Sequence, residues 1–210
     1  MKKIFYFTIA GLMLLLACRD NDMFGTIDGG PRNVIDDSTT LVSADYRPGD
    51  TTFGVVYAIL QDSVFWVASG LALSQAWHTT DPEKYFDLQF NTYESEFGFH
   101  RENMYLSEIS KSTIGNVKIS GGHFDLDDGF VGASFHTLTD DGDVCEDSYE
   151  VDESVSNNML IISSIDSINN IYRGSFTVTF KIATIGGKMN PDNPDKITFK
   201  DASFWVKIQE

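Results

Sequence analysis

Residues 175–182 read Ser-Phe-Thr-Val-Thr-Phe-Lys-Ile, with an apolar side chain at every second position. The same alternation recurs in residues 86–91 and in residues 204–209. Successive side chains of a β-strand point to opposite faces, so a period of two is typical of strands that bury one face and leave the other polar. These three stretches therefore predict strands.

Short turn signals rich in glycine, aspartate and asparagine separate the strand-like stretches. They are Gln61-Asp62-Ser63, Gly121-Gly122, Asp127-Asp128-Gly129, Asp141-Gly142-Asp143, Asn169-Asn170 and Gly186-Gly187. Many short strands joined by such turns indicate an all-β fold, and we expect a single antiparallel β-sandwich or open barrel. The one stretch compatible with a short helix is Leu71 to Trp77.

The first residues of the chain form a separate, processed segment. Lys2 and Lys3 precede the apolar stretch 4–17, which is shorter than the ~20 residues of a membrane span but fits the core of a secretory signal peptide. Residues 15–18, Leu-Leu-Ala-Cys, resemble the lipobox of bacterial lipoproteins. That resemblance implies that residues 1–17 are removed and that Cys18 carries lipid, whereas the alternative is an ordinary secreted protein.

The mature chain divides into a tether and a domain. Residues 18–48 hold the lipidated Cys18 and a polar, glycine-containing segment that suits a flexible tether. Residues 49–210 then form one all-β domain, which is long enough to bury a core without disulfides. After lipidation of Cys18 only Cys145 remains, so we expect no intramolecular disulfide.

The charge of the chain restricts its partners. The formal net charge is −16, and removal of residues 1–17 takes away the two positive charges of Lys2 and Lys3 and no acid, which leaves −18. Such a surface repels phosphate backbones and anionic lipids. We therefore expect no nucleic-acid partner, and membrane contact only through the lipid anchor.

Three segments carry a resemblance to a known family. They are residues 62–68 (Asp-Ser-Val-Phe-Trp-Val-Ala), residues 161–166 followed by the Gly-Ser-Phe-Thr of residues 174–177, and residues 197–204 (Ile-Thr-Phe-Lys-Asp-Ala-Ser-Phe). Together they resemble a family of Bacteroidota lipoproteins of unknown function. The resemblance implies an all-β domain in the bacterial envelope. We expect it to be lipid-anchored at the outer membrane, and the acidic Arg19-Asp20-Asn21-Asp22 is similar to signals that direct such lipoproteins to the cell surface. The resemblance implies no chemistry and no site residues.

Clustered carboxylates suggest a calcium site, because calcium takes six to eight oxygen ligands. The candidates are Asp140, Asp141, Asp143, Glu146 and Asp147. Their spacing does not match an EF-hand loop, and a solvated acidic hairpin explains the same residues. Calcium is therefore an alternative, and we expect no obligatory cofactor.

Histidine and cysteine give weaker signals. His123 and His136 fall in neighbouring strand-like stretches and could face each other as axial haem ligands, although scattered surface histidines explain the sequence equally well. Cys145 lies among acidic residues, which disfavour a reactive thiolate, so we interpret it as a structural thiol.

The sequence contains no nucleophile-elbow motif and no phosphate-binding glycine loop, so we expect no enzyme, and an envelope hydrolase ranks last.

Trp205 is a candidate for ligand contact. Side chains of its strand alternate between two faces, so Trp205 points to the face opposite that of Phe204, Val206 and Ile208. Trp205 therefore faces outward if those three face the core. Exposed aromatic residues are enriched where proteins bind partners. We therefore expect an envelope-anchored lipoprotein that acts as a non-enzymatic binding module for a protein or a glycan, with capture of haem or calcium as the alternative.

Overall fold

The domain is all-β, as the alternation predicts. A computed structural model describes residues 46–62, 64–74, 81–121 and 130–209. The strands in these ranges are β1 (Tyr46–Pro48), β2 (Gly54–Leu60), β3 (Val64–Leu73), β4 (Tyr85–Glu94), β5 (His100–Ser110), β6 (Gly115–Ser120), β7 (Phe130–Leu138), β8 (Cys145–Val151), β9 (Met159–Asp166), β10 (Ile171–Ile182) and β11 (Lys196–Gln209). Across the same ranges no helix is long and apolar enough to span a membrane.

The strand pairings form a closed circuit, so the domain is barrel-like. Each strand in the series β4, β3, β2, β11, β10, β8, β7 and β5 pairs with the next, and β5 pairs again with β4. Strands β9 and β6 form a second bridge between β10 and β7. Most pairings are antiparallel, as predicted, and the exceptions are the short parallel contacts of β6 with β7 and of β3 with β11. Closure satisfies backbone groups that an open sheet would leave at its edges.

Two predicted boundaries differ from the structure. Strand β1 pairs with β4 from Tyr46 opposite Glu94, so the sheet begins three residues before the predicted domain start at Gly49. Leu71 to Leu73 continues β3 instead of starting a helix, because Ala72 pairs with Leu88 of β4. Residues 1–45, and with them the predicted signal peptide, Cys18 and most of the tether, lie outside the described part of the chain.

Aromatic side chains fill the interior. Trp66, Phe135 and Phe199 are fully buried, and their rings meet edge to face: the Phe199 centroid lies 4.9 Å from that of Trp66 and 5.1 Å from that of Phe135. A second group joins Phe90 to Phe176 and Phe204, each at a centroid distance of 5.8 Å. Burying each of these large side chains contributes roughly 1.5–3 kcal/mol. Strands β3, β7 and β11 supply the first group, so its packing joins separate parts of the circuit across the interior.

One carboxyl group lies inside this apolar packing. Glu102 of β5 is 1% exposed, and its Oε2 accepts hydrogen bonds from the Trp66 indole N–H and the Thr92 hydroxyl, both at 2.8 Å. Its Oε1 is buried without a hydrogen-bond partner among the described residues. Burial raises the pKa of Glu102 to about 7, although the two hydrogen bonds oppose the shift. The interior therefore favours the protonated form.

Replacement of Glu102 by glutamine tests whether the Glu102 carboxyl is protonated in the folded protein. A carboxyl whose pKa is higher in the folded than in the unfolded protein stabilises the fold at low pH, and that contribution is lost as pH rises from about 4.5 through about 7. Glutamine stays neutral and retains an acceptor for Trp66 and Thr92. The wild-type protein should therefore lose up to about 3 kcal/mol of stability relative to Glu102→Gln between pH 4.5 and 8, measured by urea unfolding. Parallel stability curves for the two proteins would contradict the assignment.

Candidate functional site

The buried acid of the predicted calcium cluster has a structural role. Asp147 is fully buried, and its Oδ1 accepts hydrogen bonds from the backbone N–H groups of Met189, at 2.6 Å, and Asn190, at 3.0 Å. Its Oδ2 accepts a 2.7 Å hydrogen bond from the Asn193 side chain. Glu146 accepts one from the side chain of Asn190 at 3.2 Å. Both carboxylates therefore fix the loop between β10 and β11.

Asp140 and Asp141, two further acids of the cluster, have separate protein partners. Asp140 is solvent-exposed and forms an ion pair with Arg101 at 3.3 Å. Asp141 accepts hydrogen bonds from the Thr139 hydroxyl and the Asp143 backbone N–H, which lowers its pKa and shapes the turn between β7 and β8. Among the described residues, no three His, Cys, Asp or Glu side chains come together in a way that could hold a metal ion. The geometry gives the calcium hypothesis no assembled site.

His136 lies in a small cluster that the sequence did not reveal. Its Nδ1 is 3.2 Å from the Ser148 hydroxyl and 3.5 Å from the Cys145 thiol, and its Nε2 is 3.2 Å from the Ser134 hydroxyl. The hairpin of β7 and β8 brings these side chains together, and the Asp141-Gly142-Asp143 turn was the signal that could have indicated the pairing. His123 lies outside the described residues, so its predicted pairing with His136 stays a prediction.

Trp205 faces outward, as its position in the alternation predicts. Phe204 and Val206 are buried, whereas Trp205 between them is partly exposed on the outer face of β11. Its cross-strand partners are Val55 of β2 and Arg173 of β10. Side chains directly opposite in neighbouring strands lie close enough to act together. The outer face around Trp205 is therefore built by three strands.

A shallow groove of about 280 Å³ lies on this face, close to the lower end of the usual range for ligand pockets. The residues that line it are Val55, Tyr57, Ser163, Arg173, Gly174, Ser203, Phe204 and Trp205. In contrast, a depression between the segment that precedes β2 and strands β3 and β4 holds only about 20 Å³, room for about one water molecule. We take the Trp205 groove as the candidate functional site.

A β-bulge and a glycine lie next to Arg173 in β10. Strands β9 and β10 shift register between Arg173 and Gly174, and the Ser163 hydroxyl donates a 3.1 Å hydrogen bond to the Arg173 carbonyl at this point. A Cβ atom at Gly174 would collide with the Ile161 carbonyl oxygen and lie 2.7 Å from the Phe204 ring. Bulges commonly redirect a neighbouring side chain. The bulge therefore lies directly beside Arg173, and Gly174 allows β9 and the buried Phe204 ring to approach β10 closely.

The groove offers hydrogen-bond donors that the fold does not use. In the described ranges, neither the Trp205 indole N–H nor the Arg173 guanidinium donates a hydrogen bond to another protein group. Beside the groove, the Tyr57 and Phe65 rings stack at a centroid distance of 6.0 Å, and each is 46% exposed. Flat aromatic faces next to unused donors form an amphipathic surface that suits a ligand with both apolar and polar faces.

Alanine at Gly174 should damage the domain, whereas alanine at Gly121 should not. Overpacking in a tight site costs roughly 1–3 kcal/mol, which for a domain of this size lowers the unfolding midpoint by about 3–10 °C. A methyl group added at Gly121 would lie 3.6 Å from the nearest atom, an ordinary contact, so we expect Gly121→Ala to unfold close to the wild-type midpoint. Differential scanning calorimetry measures both midpoints. Equal midpoints for the two variants would show that the bulge does not need glycine.

The comparisons with known proteins leave the family of this chain open. No protein-family model matches the chain, and no curated protein and no solved structure is significantly similar to it.

Proposed function

We propose that this protein is an envelope-anchored lipoprotein whose β-domain is a non-enzymatic binding module, and that it binds a glycan in the Trp205 groove. The observation that carries the proposal is the partly exposed Trp205 beside unused polar donors in a shallow groove. The groove crosses β2, β11, β10 and β9, so its shape is set by a rigid sheet rather than by a loop. Sites on rigid elements bind without a large ordering cost.

The chemistry of the groove matches a sugar ring. A pyranose has an apolar face of C–H groups, which packs against the flat face of an aromatic ring, and a rim of hydroxyl groups, which needs hydrogen-bond partners. Trp205 and Tyr57 supply the aromatic faces. Ser163, Ser203 and Arg173 supply donors and acceptors along the same groove. Such a mixture of a few aromatic and polar groups fixes both the position and the orientation of a ligand.

A protein partner is the second candidate, and a specific observation favours it. Tyr57, Ile59 and Phe65 are each more than 40% exposed and lie on the neighbouring strands β2 and β3. Exposed apolar side chains in one patch are typical of protein contact sites. Ile59 and Phe65 belong to this patch but do not line the groove, so substitution of these two residues on one side and of Trp205 on the other separates the two candidates.

The composition of the groove supports a binding role over hydrolysis. Glycoside hydrolysis uses two carboxyl groups on either side of the scissile bond, and the described residues that line the groove include neither Asp nor Glu. The Cys145 and His136 pair lies on β7 and β8, and neither of these strands contributes a residue to the groove. Haem or calcium capture is a separate hypothesis that uses other residues.

The anchor supports the same proposal. Lipidation of Cys18 would hold the chain at the bacterial outer membrane, and we infer exposure at the cell surface from the acidic residues that follow it. The segment between Cys18 and β1 would span about 25–30 Å as a flexible coil. That reach would lift the Trp205 groove beyond the lipid headgroups, where extracellular glycans are accessible.

Loss of Trp205 tests the function. The chain from Arg19 to Glu210 is screened on a glycan array, and affinities for any glycan found are measured by isothermal titration calorimetry. Trp205→Ala should weaken binding at least tenfold, because stacking and burial of the ring contribute well over about 1 kcal/mol. The control is Phe97→Ala, which removes a ring that is 67% exposed in the turn between β4 and β5 and should leave the affinity unchanged.

Two outcomes would contradict the proposal. One is a glycan that Trp205→Ala binds as tightly as the wild type. The other is an array without any binder, combined with capture of a protein partner that Trp205→Ala retains and that Ile59→Ser and Phe65→Ser lose.

A further inference from the structure

Two cationic side chains flank Trp205 on the outer face of the sheet. Arg173 lies directly opposite Trp205 in β10, and Lys207 follows two positions after Trp205 in β11, so it points to the same face. Both side chains are exposed. Lys207 pairs across the strands with Ile171, which lies two positions before Arg173 in β10. A single aromatic ring is therefore bordered by two positive charges.

This local charge is opposite to that of the whole chain, which carries 31 acidic and 15 basic residues. The residues that line the Trp205 groove include a cation, Arg173, and no carboxylate. Elsewhere in the described residues, exposed lysines such as Lys84, Lys181 and Lys200 form ion pairs with nearby acids. The groove is thus a positive site on a negative surface.

Asp166 is an acid whose charge interacts with Arg173, and its carboxylate is hydrogen-bonded within its own turn. Asp166, at the end of β9, accepts hydrogen bonds from the backbone N–H groups of Ile168 and Asn169 and from the Asn169 side chain at 2.7 Å. The Asn169 side chain is the main cause that lowers the pKa of Asp166, and the charge of Arg173 contributes least. The guanidinium therefore keeps its donors for a ligand.

We propose that the Trp205 groove selects saccharides that carry an acidic group, a carboxylate or a sulfate, on the ring that stacks against Trp205. This inference rests on the proposed glycan-binding function. Arg173 would hold the acidic group through two parallel N–H···O hydrogen bonds, the geometry in which guanidinium binds two oxygens of one oxyanion. Lys207 would add a point charge on the other side of the ring.

The net charge of the protein limits the size of the ligand. At physiological ionic strength charges are screened beyond about 8 Å, so an acidic group inside the groove interacts with Arg173 and Lys207, whereas the rest of a long polyanion meets an acidic surface. The groove volume of about 280 Å³ likewise fits a short segment. We expect acidic mono- to trisaccharide units to bind, and uniformly charged long chains to gain little from their length.

The test compares matched acidic and neutral saccharides. The probes are trigalacturonic acid with its trimethyl ester, and galactose 6-sulfate with galactose, each titrated at 0.15 M salt. At least one acidic probe should bind wild type at least tenfold more tightly than its neutral counterpart. Arg173→Gln and Lys207→Gln should each reduce that preference at least threefold, and the double variant should abolish it. Arg173→Lys should retain part of it, because the charge remains and the second hydrogen bond is lost.

A charge-matched control excludes a general electrostatic effect. Lys84→Gln removes one positive charge at the turn before β4, where Lys84 pairs with Asp81 at 2.9 Å, and it should leave the preference unchanged. All variants should unfold close to the wild-type midpoint, since both groove cations are exposed. The carboxylate and sulfate probes show which acidic group the groove prefers.

The outcomes distinguish acid selection from glycan binding itself. If neutral saccharides bind as tightly as acidic ones and Trp205→Ala weakens both, acid selection is wrong and glycan binding stands. If an acidic probe is preferred but the preference survives in the Arg173→Gln, Lys207→Gln double variant, the assigned residues are wrong. If no saccharide of this panel or of the array binds, both proposals fail.

Discussion

The structure depends on the pairing of β10, the strand whose alternating sequence is the clearest in the chain. It pairs with β11 along its length, with β9 over its first half and with β8 at its end. Its inward residues Phe176, Val178 and Phe180 are buried in the core. Because side chains alternate strictly along a strand, burial of this set forces Arg173 and Ser175 onto the outer face. The candidate site is thus a consequence of the same register that builds the core.

The sequence predicted the strands but not which strands pair with each other. Alternation indicated an all-β domain and an outward Trp205, and both are confirmed, because each depends only on the period of two within one strand. The order of the strands depends on contacts between distant segments. Arg173 is 32 positions before Trp205 in the chain, so nothing in the local pattern of either residue indicated that they would pair. The sequence therefore predicted Trp205 as a contact residue but not the groove around it.

The contacts of charged and reactive residues could not be predicted from the sequence either. In the sequence Asp147 is one acid of a long acidic stretch, but its strand turns it inward, where backbone N–H groups of the β10 to β11 loop satisfy it. Glu102 had no sequence signal at all, since its burial arises from the closure of β4 and β5 around Trp66. Cys145 meets His136 only through the hairpin register of β7 and β8. In each case the partner, and not the residue type, decides the chemistry.

Contact between Trp205 and its ligand is tested most directly by the indole N–H resonances of the tryptophans. The chain has three tryptophans, Trp66, Trp77 and Trp205, whose ¹⁵N-indole cross-peaks are assigned by substitution with phenylalanine. On titration with the saccharides, the Trp205 cross-peak should shift with saturation, whereas the Trp66 cross-peak should stay in place because its N–H donates to the buried Glu102. Saturable saccharide binding that leaves the Trp205 cross-peak unmoved would contradict a ligand site at Trp205.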